Sequence, residues 1–244
     1  MDVPDFATDE GVERVLVVVA HPADIDFGTA GSVATWTDKG IEVTYCLVTS
    51  GDAGGDDRTM SRPDMAALRE EEQTDAAKQV GVSDLRFLNY PDGRVEATLE
   101  LRRDISRVIR QVEPQRVLSM SPERMWDRIY ASHPDHLASG EATVAAVYPD
   151  SRNPFAHPEL LSEDGLEPWT VPQMWLPIRT DPNVFVDITD NFDRKLAALL
   201  SHTSQISEPE RMDTLLREWA ASNAAIAGLP VGRYAELFRA VDTR

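Results

Sequence analysis

A histidine and an aspartate stand three residues apart in Ala20 to Gly28 (AHPADIDFG), where the apolar run Val15 to Val19 ends. Over a hundred residues later, Ser132 to His136 (SHPDH) offers two more histidines at the same spacing. Two separated clusters can share one ion. His21, Asp24 and His136 together supply two imidazoles and a carboxylate, the donor set that suits a catalytic zinc with one position left open to water. The alternative is local: His21 caps the next helix, while Asp24 and Asp135 make ordinary turn hydrogen bonds.

The elements around these clusters predict how they meet. Val15 to Val19 reads as a buried strand, Gly28 to Lys39 as a helix ending at Gly40, and Val43 to Val48 as a second strand. This is a βαβ unit, for which parallel pairing is the expectation. The loop carrying His21 and Asp24 therefore opens at the carboxyl edge of the sheet, where open α/β folds bind ligands. The glycine-rich Thr49 to Asp57 (TSGDAGGDD) should form a second loop on that edge. It lacks the lysine and spacing of a phosphate-binding loop, so a substrate-lining turn is the better reading.

Ser61 is placed to cap a helix from Pro63 to Val80, with Glu70, Glu71 and Glu72 on its solvated side. Strands are expected at Leu85 to Asn89 and Arg116 to Met120, with a helix at Leu99 to Val112 between them. A helix from Leu137 to Val147 puts His136 at its start, where a side chain is aimed with little freedom. Residues 148–182, rich in proline and holding Phe155, Trp169 and Trp175, read as an irregular segment whose tryptophans either shape a pocket or hold the loop down. A strand at Val184 to Ile188 and helices at Asn191 to Ser204, Pro209 to Ala221 and Arg233 to Val241 complete the expected order.

Length and composition bound the rest. The 244 residues, 42% of them hydrophobic, fit one α/β domain spanning 1–244 with a full core. No window approaches a membrane span, and the acidic stretch Met1 to Glu10 has neither the basic nor the apolar region of a signal peptide, so a cytoplasmic location is expected. The net charge of −18 disfavours nucleic acid and anionic membranes, which bind through clustered Lys and Arg. Cys46 lies inside an apolar run and reads as a core residue. His157 and His202 are read first as structural.

The first strand with its AHPxD loop, the helix after it, the TSGDAGG loop and the HPDH motif together resemble the LmbE/PIG-L superfamily of zinc-dependent N-deacetylases. The helix ending in His202 Thr203 Ser204 Gln205 joins the resemblance loosely. It implies a Rossmann-like α/β fold, its mostly parallel sheet flanked by helices and its metal site at the carboxyl edge of the strands. The implied reaction is hydrolysis of an acetamide on an amino sugar of the N-acetylglucosamine type. By the same resemblance His21, Asp24 and His136 are the Zn2+ ligands. His133 stabilises the oxyanion or protonates the leaving amine, and Asp135 orients an imidazole through a hydrogen bond. Relatives often form symmetric rings, which makes a homo-oligomer an expectation; the apolar C-terminal residues Trp219, Leu229, Tyr234 and Phe238 would serve an interface or the core.

The family motif reads His Pro Asp Asp, whereas this chain reads His21 Pro22 Ala23 Asp24. Ala23 stands at the family's general base, and loss of such a carboxylate typically costs about 10² to 10⁴ in rate. Three readings account for it: an engineered Asp to Ala replacement, a natural sugar-binding or sensing protein that no longer cuts, or a substitute base such as Asp26 or Asp52. The first is favoured because every ligand is kept; it makes the chain as given nearly inactive. Around the site, Asp52, Arg58, Arg128 and Tyr130 are candidates for substrate contact, with Arg124 nearby, although surface salt bridges explain the arginines equally well.

Overall fold

The strands form because their sequences alternate between two buried faces. In β1 (Arg14–Val19), Val15, Val17 and Val19 enter one core, while Leu16 and Val18 enter the other. In the computed structural model, which describes residues 8–55, 57–178 and 180–244 apart from the side chain of Asp127, β1 is an interior strand of a seven-stranded sheet. Most of the acidic stretch Met1 to Glu10 lies outside the described residues, as does Asp56 of the glycine-rich loop.

The other strands are β2 (Glu42–Thr49), β3 (Asp84–Tyr90), β4 (Arg116–Ser119), β5 (Gln173–Pro177), β6 (Val184–Asp187) and β7 (Ala235–Asp242), in the order β3-β2-β1-β4-β5-β7-β6. Pairing is parallel from β3 through β5; β7 runs antiparallel to both β5 and β6. The helices are α1 (Asp24–Gly28), α2 (Ala30–Asp38), α3 (Arg62–Gln79), α4 (Leu99–Val112), α5 (Pro134–Val147), α6 (Glu159–Ser162), α7 (Phe192–Leu200) and α8 (Pro209–Ile226). Apolar residues of α2, α3 and α7 cover one sheet face, and those of α4 and α5 the other. A third cluster joins Phe192 and Leu199 of α7 to Leu216 and Ala220 of α8. No helix among the described residues is long and apolar enough to cross a membrane.

The chain winds outward from β1 through β2 to β3, then restarts on the other side of β1 with β4 and β5. The crevice between the carboxyl ends of β1 and β4 is thus the switch point of the sheet, where such folds bind ligands. The loop after β1 carries His21; the segment after β4 leads to His133 and His136.

Several expectations are corrected. Residues 233–241 are not helical: β7 occupies Ala235–Asp242, because pairing with both β5 and β6 outweighs the helix preference of its Ala, Glu, Leu and Arg. The 148–182 segment is not wholly irregular, for β5 pairs with β4, a strand that flanking prolines disguise in the sequence. Its tryptophans hold it in place: Trp175 is buried under the Arg116 guanidinium, and Trp169 donates to the Pro114 carbonyl. The expected helix at 28–39 is broken at Thr29, whose φ of −143° separates α1 from α2. Helix α7 stops at Leu200, leaving the residues after it as a turn. Ser61 does cap α3, accepting from the Asp64 backbone N–H. Of the three glutamates assigned to the solvated side, only Glu71 is exposed. Glu72 is buried and bonded to Thr203 and Ser204.

Candidate metal centre and substrate cleft

His21 leaves β1 at its carboxyl end, and Asp24 opens α1 three residues later. Between them Ala23 has the left-handed backbone φ of 77°, a turn that folds the two donors toward each other. The backbone N–H of His21 donates to the Asp24 carboxylate at 2.8 Å. On the other side of the crevice, His133 is the N-cap of α5 and His136 lies in its first turn. Pro134 sets the helix start, and Gly140 lets α5 pass against the backbone of Met120 to Pro122.

These elements bring the two motifs together. Asp24 spans them, with Oδ2 3.3 Å from His21 Nδ1 and Oδ1 3.2 Å from His136 Nε2. His133 joins the group, its ring centroid 5.0 Å from that of His21 and 5.4 Å from that of His136. Ligand atoms of His21, His133 and His136 lie within 4.8 Å of one another. Asp135 stands behind the cluster, fully buried, accepting from Gly93 N–H and Val95 N–H, with Oδ2 3.1 Å from His21 Nε2.

The electrostatics favour a cation. Burial alone would lower the pKa of His21, but Asp135, Asp24 and Asp92 around its ring raise it to about 11. Asp24, despite its burial, is held far below the ordinary carboxylate range by His136 and His21. Burial would likewise lower His136, yet Asp24 raises it. His133 is the exception: burial and the neighbouring His21 lower it, which keeps it neutral near pH 7. Nitrogen donors interleaved with carboxylates fit a divalent metal of the zinc type, whose charge would balance the acids around the imidazoles.

The site is the floor of a cleft of about 1060 Å³, which Ala23, Arg124, Arg128 and Tyr130 also line. Trp126 and Trp219 stand at its wall, Trp126 and Tyr130 largely exposed. Asp52 and Arg58 do not border it; they line a smaller pocket of about 240 Å³. Asp52 pairs with Arg62 at 2.6 Å and accepts from Asp92 N–H. Asp26 is fully buried and bonded to Gln73 and His202. Among the other expectations, His157 pairs with Asp150 at 3.2 Å, Cys46 is buried, and Phe238 is in the core.

Three further residues hold the site together without belonging to either motif. Asp92 lies 3.1 Å from His21 Nε2, Arg69 bridges the carbonyls of Pro22 and Gly51, and Gln73 accepts the Ala23 N–H. Asp92 had a signal: it follows β3, on the same carboxyl edge as the two motifs. Arg69 and Gln73 had none, for they sit mid-helix in a highly charged stretch.

Known proteins resemble this chain in sequence and in fold. The family model PIG-L, described as GlcNAc-PI de-N-acetylase, matches residues 16–147. The diacetylchitobiose deacetylase of Thermococcus kodakarensis is 34% identical over 97% of this chain and 87% of its own length. A probable N-acetyl-alpha-D-glucosaminyl L-malate deacetylase 2 of Bacillus cereus is 32% identical over 79% and 83%. The solved N,N'-diacetylchitobiose deacetylase of Pyrococcus horikoshii superposes with a TM-score of 0.88 at 30% identity, over 96% of this chain and 86% of that one.

Proposed function

The chain belongs to the PIG-L family, and from that premise we propose that its cleft is built for zinc-dependent removal of the acetyl group from an N-acetylated amino sugar. One observation carries the reading: donors from two distant motifs meet at the sheet's switch point, on the floor of a cleft with aromatic walls. His21, Asp24 and His136 are the proposed ligands. Zn2+ held there would lower the pKa of a water toward about 7 and polarise the acetamide carbonyl.

The remaining steps fall to the chain's own groups. His133 Nδ1 accepts the Asp135 backbone N–H at 3.2 Å, so the neutral ring carries its proton on Nε2. That tautomer makes His133 a hydrogen-bond donor through Nε2, suited to the developing oxyanion. Asp135, bonded to His21 on the face away from Asp24, fixes the ring that points Nδ1 toward the shared carboxylate.

Ala23 limits the reaction. Its methyl borders the cleft where the family has a general-base aspartate, and the two substitutes considered are engaged elsewhere, Asp26 with His202 and Gln73, Asp52 with Arg62. Its left-handed backbone supports the view that aspartate is the fitting residue, because Asp adopts that conformation more readily than alanine. The rival reading, a protein that binds an acetylated sugar without cutting it, draws on the same alanine. Release of free amine from a panel of N-acetylated amino sugars, with Zn2+ present, separates them. Turnover gained by Ala23→Asp, about 10² to 10⁴ over the parent chain, supports a deacetylase cleft lacking its base. Sugar binding with no turnover in either protein supports the binder.

A further inference from the structure

The turn after α7, His202 Thr203 Ser204 Gln205, lies outside the cleft, yet its first residue connects to the metal loop. His202 is fully buried, with Nε2 2.8 Å from Asp26 Oδ2 across 176 residues of chain. Because the carboxylate accepts, the imidazole proton sits on Nε2. The same Asp26 oxygen accepts from Gln73 Nε2 at 2.8 Å, and Gln73 Oε1 accepts the Ala23 backbone N–H at 2.8 Å. Asp26, Gln73 and His202 are all fully buried. Each link fixes the next: His202 and Asp26 decide which way the Gln73 amide points, and that decides whether an acceptor faces Ala23.

Ala23 is the hinge of the loop, left-handed between donors His21 and Asp24. No side chain caps the short α1 that begins there, so the loop's orientation must come from outside it. Helix α3 supplies it with neighbouring positions of one face: Arg69 Nη2 donates to the Pro22 carbonyl at 2.8 Å while Gln73 takes the Ala23 N–H. The links from His202 to Ala23 are each made at 2.8 Å, with Asp26 Oδ1 and His202 Nδ1 left without a partner among the described residues, and a buried hydrogen-bonded chain of this kind restrains what it touches.

We propose that Gln73 and His202 are positioning residues for the metal-binding loop: the chain His202–Asp26–Gln73–Ala23 sets the backbone at residue 23 and, through it, the angle between the His21 and Asp24 donors. The proposal rests on the metal reading given above. A merely structural network would affect folding stability; this one affects how tightly, and in what geometry, a metal is held.

The test is Zn2+ affinity by chelator competition, paired with the visible spectrum of the Co2+-loaded protein, which reports ligand geometry. Gln73→Met keeps the volume and removes both bonds. It should bind Zn2+ about 10–100-fold more weakly, with an altered Co2+ spectrum and a cooperative melt. His202→Gln, which retains an N–H for Asp26, should lie closer to the parent chain than His202→Leu. Thr203→Val removes a bond to Glu72 from the same turn without touching the chain of contacts, and should leave affinity and spectrum unchanged. Parent-like affinity and spectrum in Gln73→Met, or in His202→Leu should Gln73→Met not fold, overturn the proposal. An equal loss in Thr203→Val overturns it too, since that would mean general loosening. A parent chain that takes up neither Zn2+ nor Co2+ overturns the metal reading, and this proposal with it.

Discussion

Asp135 Oδ2 stands 3.1 Å from His21 Nε2, joining the second motif to the first across 114 residues of chain. The carboxylate is fully buried and anchored by two backbone N–H groups, so it holds the ring from behind with little freedom of its own. Asp135→Asn keeps the shape but removes the charge that favours a proton on Nε2. Zn2+ affinity should fall about 10–100-fold by chelator competition, with the fold retained in circular dichroism.

The cluster offers more donors than one tetrahedral ion requires, and the roles are separable. Asp24→Asn should abolish measurable Zn2+ binding, because this carboxylate touches both His21 and His136. His133→Gln should leave the affinity near that of the parent chain. In an Ala23→Asp background it should instead lower kcat by about 10²–10³, as expected for loss of an oxyanion donor. The reverse pattern would make His133 the ligand.

Gly140 lies one turn after His136 on α5, and a Cβ there would meet the Met120 carbonyl oxygen at 2.6 Å and Pro122 N at 3.0 Å. Glycine to alanine in an open helix stabilises by about 1 kcal/mol. Here the contact is with backbone that cannot step aside. Gly140→Ala should therefore destabilise by about 1–3 kcal/mol in urea melts and weaken Zn2+ binding by displacing His136.

Away from the cleft, Arg116 is fully buried, stacked 3.8 Å from the Trp175 ring centroid, and its charge is met by Asp9 at 2.7 Å. Asp9→Asn strands that guanidinium and should cost about 3 kcal/mol, roughly 6–12 °C in Tm. Burial alone would raise the Asp9 pKa, but bonds from Lys39 and Arg116 outweigh it and hold the group below its ordinary value. Since the folded value is the lower one, the contribution is full above the unfolded pKa of about 3.9 and is lost as pH falls through the folded value. The Tm gap between the parent chain and Asp9→Asn should accordingly narrow below about pH 4.

What could be read along the chain was local and periodic. The apolar run of β1, the cap at Ser61 and the helical pattern from Leu137 each act within a few residues, so they place the donors at strand and helix ends. The two motifs sit on the same edge of a parallel sheet, which is why their meeting was legible as well. Other features depend on partners far along the chain. Residues 235–242 carry helix-forming side chains and become β7 because β5 and β6 present unpaired backbone on either side. The glutamates of α3 look alike in sequence, yet Glu72 is buried where the turn after α7 offers it Thr203 and Ser204. Gln73 gains its part from Ala23 and Asp26, 50 and 47 residues away. A polar side chain's role depends on which buried groups need pairing around it, and those neighbours are assembled when the chain folds.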